Sequence, residues 1–180
     1  MQTRKVLFVF INLLGGTAVL GSYVYGSLKL PGAAEILWGG VPQAFRPAYT
    51  AGMFLAATGY FAFTYFILFR LNPKDTRVYG KFGYGLFNTL YTAILIPSAL
   101  WLPLTFSAVE LSSIGLLWIV RINLAVVGLA SLGLYFTLLH VEPRRPLWAY
   151  RIALVGCVFF CIQTAILDAI IWTALFLLTF

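Results

Sequence analysis

Apolar residues run through this chain in five long blocks, separated by short clusters of charged residues, glycines and prolines. The blocks lie near residues 6–28, 48–71, 82–105, 111–140 and 147–178. Each is long enough for a helix to cross a hydrocarbon core of ~30 Å, which takes roughly 20 apolar residues. A transmembrane β-barrel would instead show alternating segments of about 10 residues. The pattern therefore predicts an all-α, polytopic five-helix bundle, a single transmembrane domain over residues 1–180 with no repeat or soluble appendage. The first block is long for a cleavable signal and is read as a retained helix.

The polar residues between the blocks add an orientation. Arg4 and Lys5 precede the first block, Arg70, Lys74, Arg77 and Lys81 follow the second, and Arg144, Arg145 and Arg151 follow the fourth. The opposite set of connections carries only Lys29 and Arg46. Basic residues concentrate on the cytoplasmic side of membrane proteins, so the N-terminus is expected inside and the C-terminus outside. The expected location is an integral, multi-pass position in the membrane, the cytoplasmic membrane if the source is bacterial. Composition agrees: 62% of residues are hydrophobic and only 9% charged, too little polar surface to cover a water-facing globule. The net charge of +7 falls at membrane edges, which suits anionic lipid headgroups and not nucleic acid.

The longest connection, residues 29–47, contains Pro31, Gly32, Gly39, Gly40, Pro42 and Pro47. Between these breakers, Ala33–Trp38 is expected as a short interfacial helix with Leu37 and Trp38 facing lipid. A loop this long over a small bundle is a candidate lid. Small residues recur three or four apart at Gly15, Ala18, Ser22 and Gly26, and at Gly52, Ala56 and Gly59. Such stripes let helix backbones approach closely, within the chain or across a homodimer. Pro97 predicts a bend in the third helix, which is expected to end near Pro103. Asn12 and Asn88 fall at similar depth and can bond across helices.

Ionisable residues inside a span cost ~2.5–3.5 kcal/mol each on insertion scales, so each needs an account. Arg121 and Asp168 lie in the fourth and fifth blocks, both ~16–18 Å below the outer boundary at 1.5 Å per residue. Equal depth and opposite sign predict an intramembrane ion pair, Arg121–Asp168. Three uses of that pair stay open: a structural clamp, the polar anchor of a ligand pocket with Arg121 facing a carboxylate, or a proton relay. His140 is the single histidine, and no Cys, His and acid cluster has metal-ligand spacing. Cys157 and Cys161, four apart on one helix face, read as packing residues. No nucleophile with its base is evident, so no catalytic residue is assigned.

Two segments carry a family resemblance. Phe45-Arg46-Pro47-Ala48-Tyr49-Thr50 is similar to a Phe-x-Pro-x-Trp-Thr element, with Tyr in place of Trp. Leu167-Asp168-Ala169-Ile170-Ile171-Trp172 is similar to a Leu-Asn-x-x-Val/Ile-Trp element, with Asp in place of Asn. A weaker echo is Leu28-Lys29-Leu30-Pro31, similar to Leu-x-Lys-Pro. Together with five helices and a long first loop, these resemble the tryptophan-rich sensory protein, or translocator-protein (TspO), family. That family's Trp-x-Pro-Pro and Pro-Tyr-x-x-Trp elements are missing, and the chain has only five tryptophans. The resemblance implies an often dimeric bundle that binds tetrapyrrole- or sterol-like molecules beneath the first loop. Phe45, Pro47, Tyr49, Leu167, Asp168 and Trp172 would then lie near the pocket's wall or mouth.

The expected function is binding or transport of an apolar, tetrapyrrole-, sterol- or lipid-like ligand, with no certain cofactor. Trp38, Tyr60 and Trp118 are placed on the pocket wall beside the residues just named, and Arg121 with Asp168 at its floor. An accessory subunit of a larger membrane complex, or a channel or proton-coupled carrier, are the alternatives.

Overall fold

The computed structural model describes residues 2–29 and 32–176. Leu30, Pro31 and the last two residues expected in the fifth helix, 177–178, lie outside the described residues. Five helices are long and apolar enough to cross a membrane. They are α1 (Gln2–Lys29), α3 (Arg46–Tyr65, prolonged by a π-helical turn at Phe66–Arg70), α4 (Gly85–Glu110), α5 (Ile114–Leu139) and α6 (Leu147–Leu175). A short helix, α2 (Ala33–Trp38), lies in the first connection, where the loop's breakers placed it.

Local chemistry sets the boundaries. Pro47 sits in the first turn of α3, where its missing N–H costs nothing and its fixed φ is already helical. Ser113 caps α5, its side chain accepting the Leu116 N–H at 3.4 Å. Within α6, residues Ile162–Trp172 wind as a π-helix. The third membrane helix corrects one expectation: α4 runs through both Pro97 and Pro103 to Glu110. Membrane helices tolerate interior proline where neighbours and side chains re-satisfy the freed groups. Here Asn123 donates to the Pro97 carbonyl at 2.7 Å, and the Ser98 and Thr105 hydroxyls bond back to Ile94 and Trp101.

Around the bundle α1 packs on α4, α4 on α5, α5 on α6 and α6 on α3. The ring closes where the Tyr60 hydroxyl of α3 donates to Asn12 of α1 at 2.6 Å. Asn12 and Asn88 thus do not meet; Asn88 donates to the Arg4 carbonyl instead. The small-residue stripes are used inside the chain. Gly59 and Gly156 face each other so closely that a Cβ at Gly59 would lie 2.2 Å from the Gly156 carbonyl oxygen. Gly15 sits against Leu95, and Gly26 against Phe106 and Leu102.

The chain's alternating direction gathers Arg4, Lys5, residues 70–81 and 144–151 at one end of the bundle, here the basic end. There β1 (Arg77–Val78) pairs antiparallel with β2 (Val141–Glu142), tying two connections together. Tyr79 stacks on His140 at 4.1 Å. Above this end, Phe8, Phe63, Phe66, Phe87 and Tyr91 are wholly buried in a continuous aromatic core.

The opposite, cap end is closed by residues 32–45. Gly32 and Gly39 flank α2 at positive φ, 80° and 51°, where a side chain would be strained. A Cβ on Gly39 would also collide with the Phe176 ring, 2.5 Å away. The cap is fastened at both edges: Trp172 Nε1 donates to the Leu37 carbonyl at 2.8 Å, and Arg46 pairs with Glu35 at 2.8 Å. Leu37 and Trp38 therefore do not face lipid. Leu37 packs near Leu102 and Phe106, and Trp38 sets its ring edge against Tyr49 at 5.9 Å.

Candidate functional site: a capped cavity with one carboxylate

Directly beneath α2 lies a cavity of about 320 Å³ to which every long helix contributes. Its roof is Leu37 and Trp38, and its aromatic walls are Tyr23, Tyr49, Trp101, Phe160 and Trp172. Val19, Met53, Leu124 and Val127 complete the apolar lining. Ser98, Thr164 and Asp168 supply the remaining polar groups. Apolar walls with a few oriented polar groups are the usual make-up of a small-molecule site, and the volume falls within the common range of roughly 300–1,000 Å³.

Asp168 is held by α6 and α3 together. Gln163 Nε2 donates to Asp168 Oδ1 at 2.8 Å, and the Tyr49 hydroxyl lies 3.2 Å from the same oxygen. Tyr49 also reaches the Leu167 carbonyl. The Gln163–Asp168 bond spans five residues, a separation that π winding, with its i→i+5 bonds, brings onto one face. Gly52 makes room for Gln163: a Cβ there would lie 2.7 Å from Gln163 Oε1. Both bonds reach Oδ1, while among the described residues Oδ2 accepts none. Trp101 Nε1 and Gln163 Oε1 are buried without a partner here. The site thus holds a free carboxylate oxygen and, on a wall residue, an unused indole N–H.

The expected ion pair does not form. Arg121 lies seven residues below the start of α5, ~10 Å along the helix. The two groups differ in level as well as in direction: from the Gly128–Ala165 contact, Arg121 lies seven residues toward the cap end and Asp168 three, a difference of about 6 Å. The α5–α6 contact runs through Gly128 against Ala165; Asp168 turns inward to Tyr49, and Arg121 lays its guanidinium over Trp118, 4.9 Å from the ring centroid. Trp118 is 56% exposed on the outer surface of the bundle.

The other expected site residues divide. Trp38, Tyr49, Asp168 and Trp172 all line the cavity. Phe45 is 64% exposed and Pro47 is exposed at the start of α3, so neither faces it. Tyr60 lies deeper, among Phe63, Tyr91 and Phe160. Tyr23 and Trp101 carry sequence signals suited to an aromatic belt, yet both line the cavity, their rings 6.3 Å apart, with Tyr23 still 41% exposed. Ser98, Phe160 and Thr164 have no sequence signal that separates them from ordinary packing residues. Among the described residues no three His, Cys, Asp or Glu side chains gather as a metal set.

Five membrane-length apolar helices form a helical bundle of membrane-protein type around a capped cavity that bears one carboxylate. Compared with family models, curated proteins and solved structures, the chain gives no match.

Proposed function

We propose that this protein binds an apolar small molecule carrying a hydroxyl or amine, held beneath the cap with its polar group on Asp168. The observation that carries the reading is the unpartnered Asp168 Oδ2 in a cavity whose other walls are almost wholly apolar. A guest that covered this oxygen without pairing it would incur roughly 1–3 kcal/mol, so the guest must bring a donor. Sterol-like and long-chain amine molecules meet that requirement. A tetrapyrrole bearing carboxylates would set negative charge against Asp168, and with Arg121 turned away no cation answers it. The sterol- or lipid-like branch of the expectation is therefore preferred to the porphyrin branch.

The resemblance to the translocator-protein family supports the same reading, because Tyr49, Asp168 and Trp172 from its two segments meet at this cavity. The charge count supports a cap on the outer side of the membrane and an N-terminus inside.

Quenching of the cavity's tryptophans by a sterol, a long-chain amine and protoporphyrin tests the reading. The expected result is saturable quenching by the amine or the sterol. Asp168→Asn should weaken it at least tenfold, about 1.4 kcal/mol, with the thermal transition in detergent retained. Undiminished affinity in a folded Asp168→Asn protein, or saturable binding of protoporphyrin alone, would overturn it.

A further inference from the structure

A second hollow lies on the outside of the bundle, in the seam between α5 and α6. It measures about 590 Å³, and its floor is made of small residues: Ala125 and Gly128 from α5, Ala165 and Ala169 from α6. Leu132 and Ile166 are among the walls. Along α5 the hollow extends from Ala125 to Tyr135, ~15 Å at 1.5 Å per residue. That is half of a ~30 Å hydrocarbon core, the depth of one leaflet.

The head of this groove is charged. Arg121 stands one helical turn above Ala125, on the same face of α5. Helical side chains lean toward the helix N-terminus, and the N-terminus of α5 is at the cap end. The guanidinium accordingly lies over Trp118, three residues nearer that end. An arginine whose α-carbon is ~10 Å deep reaches headgroup level in this way. Its Nε is buried with no partner, and among the described residues the guanidinium donates no hydrogen bond. An uncompensated cation in a membrane needs an anion, and Asp168, the acid of the neighbouring helix, is committed to the interior.

We infer that the α5–α6 seam is a binding site for an anionic phospholipid of the cap-side leaflet. Its phosphate sits on Arg121 and one acyl chain lies in the small-residue groove. Charge complementarity selects the head, since guanidinium and phosphate form paired, charge-assisted bonds. The leaflet-deep, apolar groove selects the chain. The site lies outside the bundle and is independent of the capped cavity.

The test must separate this site from lipids gathered at the basic end, and Trp118 provides a local reporter. The protein is placed in phosphatidylcholine bilayers doped with phosphatidylglycerol or phosphatidylcholine carrying dibrominated chains. The Trp118 component is taken as the difference from Trp118→Phe. Phosphatidylglycerol is expected to quench that component at least fivefold more per mole than phosphatidylcholine. Arg121→Gln should bring the ratio to one, Arg121→Lys should keep part of it, and Ala125→Phe should abolish it by filling the groove with Arg121 intact. Unchanged thermal transitions confirm that the variants are folded. Equal quenching by both lipids in the unmodified chain, or a preference that survives Arg121→Gln or Ala125→Phe, would overturn the site. Stronger quenching by a dibrominated free fatty acid would overturn the phospholipid assignment.

Discussion

Toward the basic end, Phe8, Phe63, Phe66, Phe87 and Tyr91 are wholly buried and fill the space between helices, whereas toward the cap end six aromatic residues surround a cavity of about 320 Å³. Polar groups are paired unevenly in both. In the filled half three tyrosine hydroxyls find partners, Tyr91 with Thr64 at 2.8 Å, Tyr60 with Asn12 at 2.6 Å and Tyr84 with the Ile67 carbonyl at 3.3 Å, while Asn88 Oδ1 is buried without one. In the cap half, Trp101 Nε1 and Gln163 Oε1 are buried and unpaired. Lipid gives helices no hydrophobic reason to associate, so van der Waals packing and interhelical hydrogen bonds must hold the bundle together. The filled half supplies both. The cap half gives up contacts around its cavity.

The largest effect is expected where the halves are joined. Gly59 and Gly156 bring α3 and α6 into backbone contact, and Gly156 Cα lies 2.9 Å from where a Gly59 Cβ would be. Gly59→Leu has no flexible neighbour to displace, so α3 must separate from α6 and both halves should be lost. Folded protein recovered in detergent should fall to a small fraction. Gly16→Leu is the control, since nothing lies within 4 Å of its Cβ position, and its stability should change by less than ~0.5 kcal/mol. Similar losses for the two glycines would show that the close approach is not what holds the halves together.

A pair of truncations tests the difference in packing itself. Phe63→Ala empties a site packed on Phe160 and Tyr91, and should cost ~3–5 kcal/mol in reversible unfolding. Met53→Ala enlarges a wall that already borders a cavity, and should cost less than ~1.5 kcal/mol because few contacts are lost. Equal costs would mean that the cavity is no looser than the core.

The bundle was legible in the sequence for a simple reason. A hydrocarbon slab demands long apolar runs, and charged edges mark where they stop. Residues Ala33–Trp38 were legible too, because Gly32 and Gly39 isolate them. Direction around a helix axis was not. Counting residues from the ends of the apolar blocks set Arg121 and Asp168 level, but the Gly128–Ala165 register puts Arg121 about 6 Å nearer the cap. Azimuth in an all-apolar helix has no polar face to report it, and the π winding of Ile162–Trp172 displaces any α-helical wheel. The Gln163–Asp168 bond was illegible for the same reason: in an α-helix a residue five positions from Asp168 points elsewhere. Trp38 was assigned to the pocket from its place in the loop, yet its turn inward needs Tyr49 and the cap fastenings, which are tertiary.

Those fastenings permit a test in which stability and function separate. The Arg46–Glu35 pair closes the cap at 2.8 Å, but the Glu35 side chain is 72% exposed, so the pair is worth at most ~1 kcal/mol. Glu35→Gln should leave global stability within that limit, because Trp172 still bonds Leu37 and Arg46 still covers Trp38 at 5.4 Å. Its effect should fall on the cap. If the guest enters past residues 35–46, loss of the pair raises its dissociation rate several-fold in stopped-flow quenching. Salt offers an internal check, since the screening length contracts from ~10 Å at 0.1 M to ~3 Å at 1 M. The unmodified protein in 1 M salt should approach the variant's rate, while the variant should scarcely respond. A dissociation rate that neither Glu35→Gln nor salt alters would place the entrance elsewhere, between helices from the lipid side, and the cap would then belong with the rigid half of the molecule.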